Sequence, residues 1–207
     1  LGLETVHLFH GTYKKNAMSI IQRGFATTDI PDIGKINTGN AKKKPGSLGF
    51  GLYGFRDDPC LALDYIKRVC TGNDYEVLHF DIQLHRDNKL NFVNSVNDMM
   101  AFQQWKELPA RKKLLDILKK KYSNNVKQHS LDGAILEAYI YDMTRRKEFK
   151  EPIYAVCSAT HTPTDPEFEN RSIYMIPNGI EYAVRNTIII NNDSIDTVGT
   201  SSNQLEE

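Results

Sequence analysis

The chain has no long apolar run, no net charge, a single tryptophan and only three cysteines among its 207 residues. No stretch approaches the roughly 18 consecutive apolar residues of a membrane-spanning helix, and no secretory-signal pattern opens the sequence, so no membrane partner is expected. Cys60, Cys70 and Cys157 are odd in number and lack a C-x-x-C pairing, which argues against a disulfide framework and a cysteine-based zinc knuckle. A reduced, cytoplasmic setting is expected, and no metal. With 26 Lys+Arg against 26 Asp+Glu, the balance argues against a globally basic binder of nucleic acid. The 40% apolar and 25% charged fractions are ordinary for a globular protein and exclude wholesale disorder. The length suits one domain.

Periodicity supplies the elements. Thr5 to Thr12 is short, apolar and β-prone, and residues 14 to 23 carry a helical stripe of Ala17, Ile20 and Ile21 before a stop at Gly24. Phe25 to Gly46 turns to Thr, Asp, Pro, Gly and Lys and reads as a long surface loop. Asp57 or Asp58 then caps a helix with Pro59 in its first turn, closed by Gly72. Residues 75 to 84 alternate as a strand, with Leu78, Phe80, Ile82 and Leu84 on one face. Residues 94 to 147 are predicted mostly helical, with one stripe through Leu114, Leu115, Leu118 and Tyr122 and another through Ile135, Leu136, Tyr139, Ile140 and Met143. Three strands follow, at Ile153–Thr160, Ser172–Ile176 and Ile180–Ile190. This order predicts a single α+β domain with a helical insertion at about 94–147.

Gly49, Gly51 and Gly54 fit the literal G-x-G-x-x-G pattern, with Glu76 about twenty residues on. A dinucleotide-binding turn needs a strand before it and a helix opening at the third glycine. Here a loop is expected before it, Phe50 and Tyr53 are bulky, and the βαβ alternation is absent, so that reading fails. His10, Tyr53 and Glu181 each have an ordinary explanation alone: a structural histidine, a packed aromatic, and a carboxylate on a solvated strand face. In Ile180–Arg185, alternation puts Ile180, Tyr182 and Val184 on one face, with Glu181, Ala183 and Arg185 on the other.

Taken in order, these pieces have a common parallel. His10-Gly11-Thr12 on an early strand resembles the first motif of ADP-ribosyltransferases of the poly(ADP-ribose) polymerase and diphtheria-toxin type. Phe50-Gly51-Leu52-Tyr53-Gly54-Phe55 is similar to that family's F-G-x-G-[IL]-Y-F segment, one residue shorter between the glycine and Tyr53. Tyr65 matches its second stacking tyrosine, and Glu181-Tyr182-Ala183-Val184 its E-Y-x-V strand. The resemblance covers roughly residues 5 to 84 and 152 to 190. It implies a split β-sheet core with flanking helices and an NAD substrate cleaved at the nicotinamide–ribose bond. The implied catalytic residues are His10, Tyr53 and Glu181. Glu181 would bond the nicotinamide-ribose 2′-OH, His10 the adenosine ribose, and Gly11 backbone groups the carboxamide, while Tyr53 and Tyr65 would sandwich the ring. Thr12, Ser47 and Gly51 complete the expected NAD-binding set, and Lys42, Lys43 and Lys44 are candidates for the pyrophosphate or simply a solvated loop.

The acceptor is the less legible half. Lys106, Arg111, Lys112, Lys113, Lys119, Lys120 and Lys121 against Glu107 and Asp116 leave a local excess of five positive charges on one helical stretch. Such a run is either a solvated face or a footprint for RNA phosphates or an acidic partner such as a neutralising antitoxin. Arg145, Arg146 and Lys147 extend it on this reading. Arg171 and Tyr174, in the stretch before the Glu181 strand, are the other acceptor candidates. The expectation is a mono-ADP-ribosyltransferase acting on a macromolecule, RNA ahead of protein, similar to toxins of antiphage toxin–antitoxin systems. An NAD glycohydrolase, or a silent NAD- or ADP-ribose-binding module, is the alternative.

Overall fold

β1 (Leu3–Tyr13) alternates inward Val6 and Leu8 with outward Thr5 and His7. In the computed structural model, which describes residues 2–124, 129–162 and 176–199, it pairs antiparallel along its whole length with β3 (Tyr75–His85). Leu78, Phe80, Ile82 and Leu84 of β3 are all buried, as their alternation predicts. Seven strands form one mixed, open sheet of an α+β fold. The others are β2 (Leu52–Arg56), β4 (Lys89–Phe92), β5 (Ala155–Thr160), β6 (Gly179–Val184) and β7 (Ile190–Thr197). Their order is β4-β5-β6-β2-β1-β3-β7, and only β4 and β5 run parallel. The two halves meet at a narrow seam, because β1 pairs β2 only at Leu8 with Arg56 and Phe9 with Phe55.

α1 (Lys14–Arg23) covers one face, where Ile20 and Phe25 pack on a core of Leu8, Phe80, Ile82, Tyr182 and Val184. α3 (Pro59–Val69) and α6 (Ser130–Arg145) cover the other. Asp58 caps α3 by accepting from the Leu61 N–H, so of the two candidate caps it is the working one, and Cys70 rather than Gly72 ends the helix. α4 (Val96–Glu107) and α5 (Lys112–Tyr122) complete the helical region expected after residue 94. α6 is buried nearly all round. Ala134, Leu136 and Tyr139 share a core with Leu90, Val156 and Ala183 of the sheet, so this segment is as much interior as the strands themselves.

Three expectations need correction. The stretch Phe25–Gly46 is not all loop, because it contains α2 (Ile33–Thr38) with Ile36 buried. Asp32 caps that helix, Gly39 ends it at φ 72°, and the Tyr122 hydroxyl of α5 donates to the Ile36 carbonyl. The glycine-rich segment runs into a strand, β2, and β4 is a further short strand that was not expected. The strand predicted over Ile180–Ile190 is two. Asn186 accepts from the Ile188 N–H and turns the chain through Thr187–Ile189, which sends β7 to the opposite edge of the sheet. The strand predicted at Ser172–Ile176 lies, but for Ile176, outside the described residues. Among the described residues no helix is long and apolar enough to cross a membrane.

Candidate active site

The short strands β2 and β6 lie side by side, with Tyr53 opposite Ala183 and Phe55 opposite Glu181. Directly opposed residues share a face, so Tyr53 and Glu181 both project toward α3 and α6. Between them runs the turn Gly46–Gly49, closed by reciprocal backbone hydrogen bonds of 3.1 and 3.2 Å. The Tyr53 hydroxyl clamps this turn, donating to the Gly49 carbonyl at 2.7 Å and accepting from the Leu48 N–H at 2.9 Å. Burial and the nearby Glu181 charge push the Tyr53 phenol above its ordinary range, so it stays neutral and able to donate. Gly46 must be glycine because a side chain there would overlap the Tyr53 ring. Gly51 lets the turn lie against the Val184 carbonyl and Ala183 of β6.

The clamp delivers Ser47. Its hydroxyl donates to Glu181 Oε2 at 2.7 Å across 134 residues of sequence. Burial raises the Glu181 pKa above that of an ordinary carboxylate, while the Ser47 hydrogen bond and the positive potential of His129 pull it back. A carboxyl held in this way can accept a proton more readily than an ordinary carboxylate. Tyr65 of α3 is half-exposed, with its ring edge-on to Phe55 at 5.9 Å, and its phenol is raised by partial burial and by Glu181.

His10 sits at the seam, just beyond the last β1–β2 pair. Its Nδ1 is 2.7 Å from the Tyr53 carbonyl oxygen. A carbonyl only accepts, so Nδ1 carries the proton and Nε2 presents a lone pair. Burial lowers the His10 pKa, partly offset by that hydrogen bond, so the ring is neutral at neutral pH. Alternation directs it toward Phe25, which it meets edge-on at 5.8 Å. The His10 ring thus shares the α1 side of the sheet with Phe25, whereas the Tyr53 and Glu181 side chains project from the other face, and its hydrogen-bonded link to them is the Tyr53 backbone carbonyl. Gly11 lies flat under α3, where a side chain would strike Ile66 and the Ala62 carbonyl. Thr12 is buried opposite Glu76.

A second set of residues supports the turn from behind, and no local pattern announced it. Glu137 of α6 accepts from the Phe50 N–H at 2.7 Å and takes both Arg185 guanidinium Nη atoms, one at 2.9 Å. Both side chains are buried. Gly133, one turn earlier on α6, has no room for a side chain because it packs on the Gly46 carbonyl. The available signal was compositional: a lone Glu within the apolar run of α6 and a lone Arg on an inward strand position imply a buried pair. His129 was also missed. It holds a left-handed backbone (φ 48°), a conformation that favours glycine, and its electrostatic influence lowers the Glu181 pKa.

The lysines of α5 are placed as expected, with Leu118 and Tyr122 buried and Lys112, Lys113, Lys119, Lys120 and Lys121 exposed. Of the arginines, Arg111 is largely withdrawn from that surface, while Arg145 and Arg146 remain exposed. Asp142 takes Arg111, Arg145 and Arg146, and also accepts from the Trp105 indole at 3.0 Å. Lys42, Lys43 and Lys44 are exposed just before the Ser47 turn. Arg171 and Tyr174 lie outside the described residues. Compared with protein-family models, curated proteins and solved structures, the chain matches none.

Proposed function

We propose that the protein cleaves NAD between nicotinamide and ribose and transfers the ADP-ribose to a macromolecular acceptor, RNA ahead of protein, in the cytoplasm. The observation that carries this is the half-buried Glu181 carboxylate, held by Ser47 and flanked by Tyr53 and Tyr65 beside the seam of the sheet. The narrow β1–β2 join supports reading the sheet as the split sheet of the ADP-ribosyltransferase type.

The chemistry asks little of the protein. Nicotinamide leaves from a cationic pyridinium and needs no proton, so one carboxylate suffices where glycoside hydrolysis uses two. Glu181 accepts from the ribose 2′-OH, stabilises the oxocarbenium-like charge, and takes the proton of the incoming nucleophile. The two tyrosine rings offer aromatic faces for the nicotinamide. Neutral His10 offers the Nε2 lone pair to a ribose hydroxyl. Beyond Phe9 no β2 residue pairs with β1, which leaves backbone at Gly11 to meet the carboxamide.

Cleavage requires the Glu181 carboxylate, so its rate rises with pH through the raised Glu181 pKa. Ser47→Ala removes a hydrogen bond that lowers that pKa, so the acid limb of the rate profile moves to higher pH. Nicotinamide release measured across pH checks this; an unmoved acid limb detaches Ser47 from the titrating group.

Labelled NAD incubated separately with RNA, DNA and protein tests the reaction class. Label in RNase-sensitive material supports transfer to RNA. Nicotinamide release without label transfer makes the protein a glycohydrolase, and neither outcome makes it a binding module. Reversing charge at Lys112, Lys113, Lys119 and Lys120 is expected to abolish transfer to RNA while nicotinamide release persists, because these exposed lysines lie outside the Glu181 cluster. Unchanged transfer would show α5 to be an ordinary solvated face.

A further inference from the structure

We propose that His7, His79 and Asp81 form a zinc-binding site on the β1–β3 pair, apart from the Glu181 cluster. His7 and Asp81 stand directly opposite each other in the ladder, and His79 is two residues from Asp81, so all three side chains share one face. His7 Nδ1 lies 2.7 Å and His79 Nε2 3.0 Å from the same oxygen, Asp81 Oδ1. All three candidate ligand atoms fall within 4.8 Å of one another.

The two imidazoles are stacked, 5.9 Å apart with 25° between their planes, and each directs one nitrogen at the same Asp81 oxygen. A tetrahedral zinc ion with bonds near 2.0 Å needs its ligand atoms about 3.3 Å apart. The two contacts to the Asp81 oxygen lie about 0.6 and 0.3 Å short of that spacing, and the exposed His7 side chain has the freedom to adjust both to Asp81 and toward His79. Both strands are central to the sheet or paired along their length, which fixes the backbone beneath all three ligands. A bulge in the β3–β7 pairing lies between His79 and Asp81, and such bulges re-aim side chains. Asp196, opposite His79 on β7, adds a second negative charge to that face.

Two imidazoles and one carboxylate form a borderline donor set that suits zinc rather than magnesium or calcium. Three protein ligands leave the fourth position of the ion to water. Sequence pattern could not reveal the site, because the ladder alone brings His7 beside residues more than seventy positions away.

The test uses the whole chain stripped of metal with a chelator. Zinc titrated calorimetrically is expected to bind at one equivalent, and cobalt(II) to give the visible absorption of a four-coordinate ion. Excess zinc is expected to raise the melting temperature, since the ligands converge only in the folded state. His79→Gln and Asp81→Asn each weaken binding at least tenfold, whereas His85→Ala, further along the same strand, leaves it unchanged. The absence of saturable one-equivalent binding overturns the proposal, as does wild-type affinity in the His7→Gln/His79→Gln double variant. Should these variants fold poorly, the wild-type cobalt spectrum decides alone: a six-coordinate, aquo-like spectrum overturns the site.

Discussion

Glu181→Gln is expected to lower nicotinamide release by about 10²- to 10⁴-fold, the usual contribution of a positioned acid–base group, while the folded protein becomes more stable at neutral pH. The two effects share one cause. Burial raises the Glu181 pKa, which means that the folded state holds the proton more tightly than the unfolded chain does. The stability this contributes is fully present below the unfolded carboxyl pKa and is lost as pH rises through the folded one. At neutral pH wild type therefore carries the cost of a desolvated carboxylate, and the neutral amide removes it. Gln also keeps an acceptor for the Ser47 hydroxyl, so the turn is preserved. Paired thermal melts across pH check the sign: the advantage of the variant should shrink as acid protonates Glu181 in wild type. Wild-type rates of nicotinamide release in this variant would remove Glu181 from the chemistry.

Glu137→Ala is expected to cost about 3–5 kcal/mol, because Arg185 is left charged, buried and unpaired. For a chain of this size that is a fall of about 6–20 °C in melting temperature. Activity should fall too, since the Phe50 N–H loses its acceptor and the turn that delivers Ser47 loses its anchor. The Glu137→Met/Arg185→Met double variant separates the two roles. Replacing a buried ion pair by apolar groups of similar volume is often near neutral, so most of the melting temperature should return. Nicotinamide release should not, because no group replaces the acceptor for Phe50. Full recovery of both would make the pair purely structural.

Much of the molecule was legible from local pattern. The alternation of Leu78, Phe80, Ile82 and Leu84, the helix start at Pro59 with its cap narrowed to Asp57 or Asp58, and the Leu118–Tyr122 stripe read directly, because period and capping depend on neighbouring residues. α2 did not, because six residues make too few turns to display a helical period. The β6–β7 break was hidden by Thr187, Ile188, Ile189 and Ile190, whose β-branched side chains read as strand while Asn186 makes the turn.

For the candidate site the division is sharper. The sequence alone put His10 and Glu181 on strands and Tyr53 between them in a glycine-rich segment, in that order. It also placed Ser47 near them, without a reason. Only the tertiary structure decided that Ser47 holds Glu181, that His10 donates to the Tyr53 backbone, and that Glu137 and Arg185 support the turn from beneath. The His10 contact depends on β2 pairing with β1, and those of Glu181 and Arg185 on β6 returning to pair with β2, more than a hundred residues after β2 is made. Local periodicity sets what a strand is, but the packing of the whole chain sets which strand lies beside it.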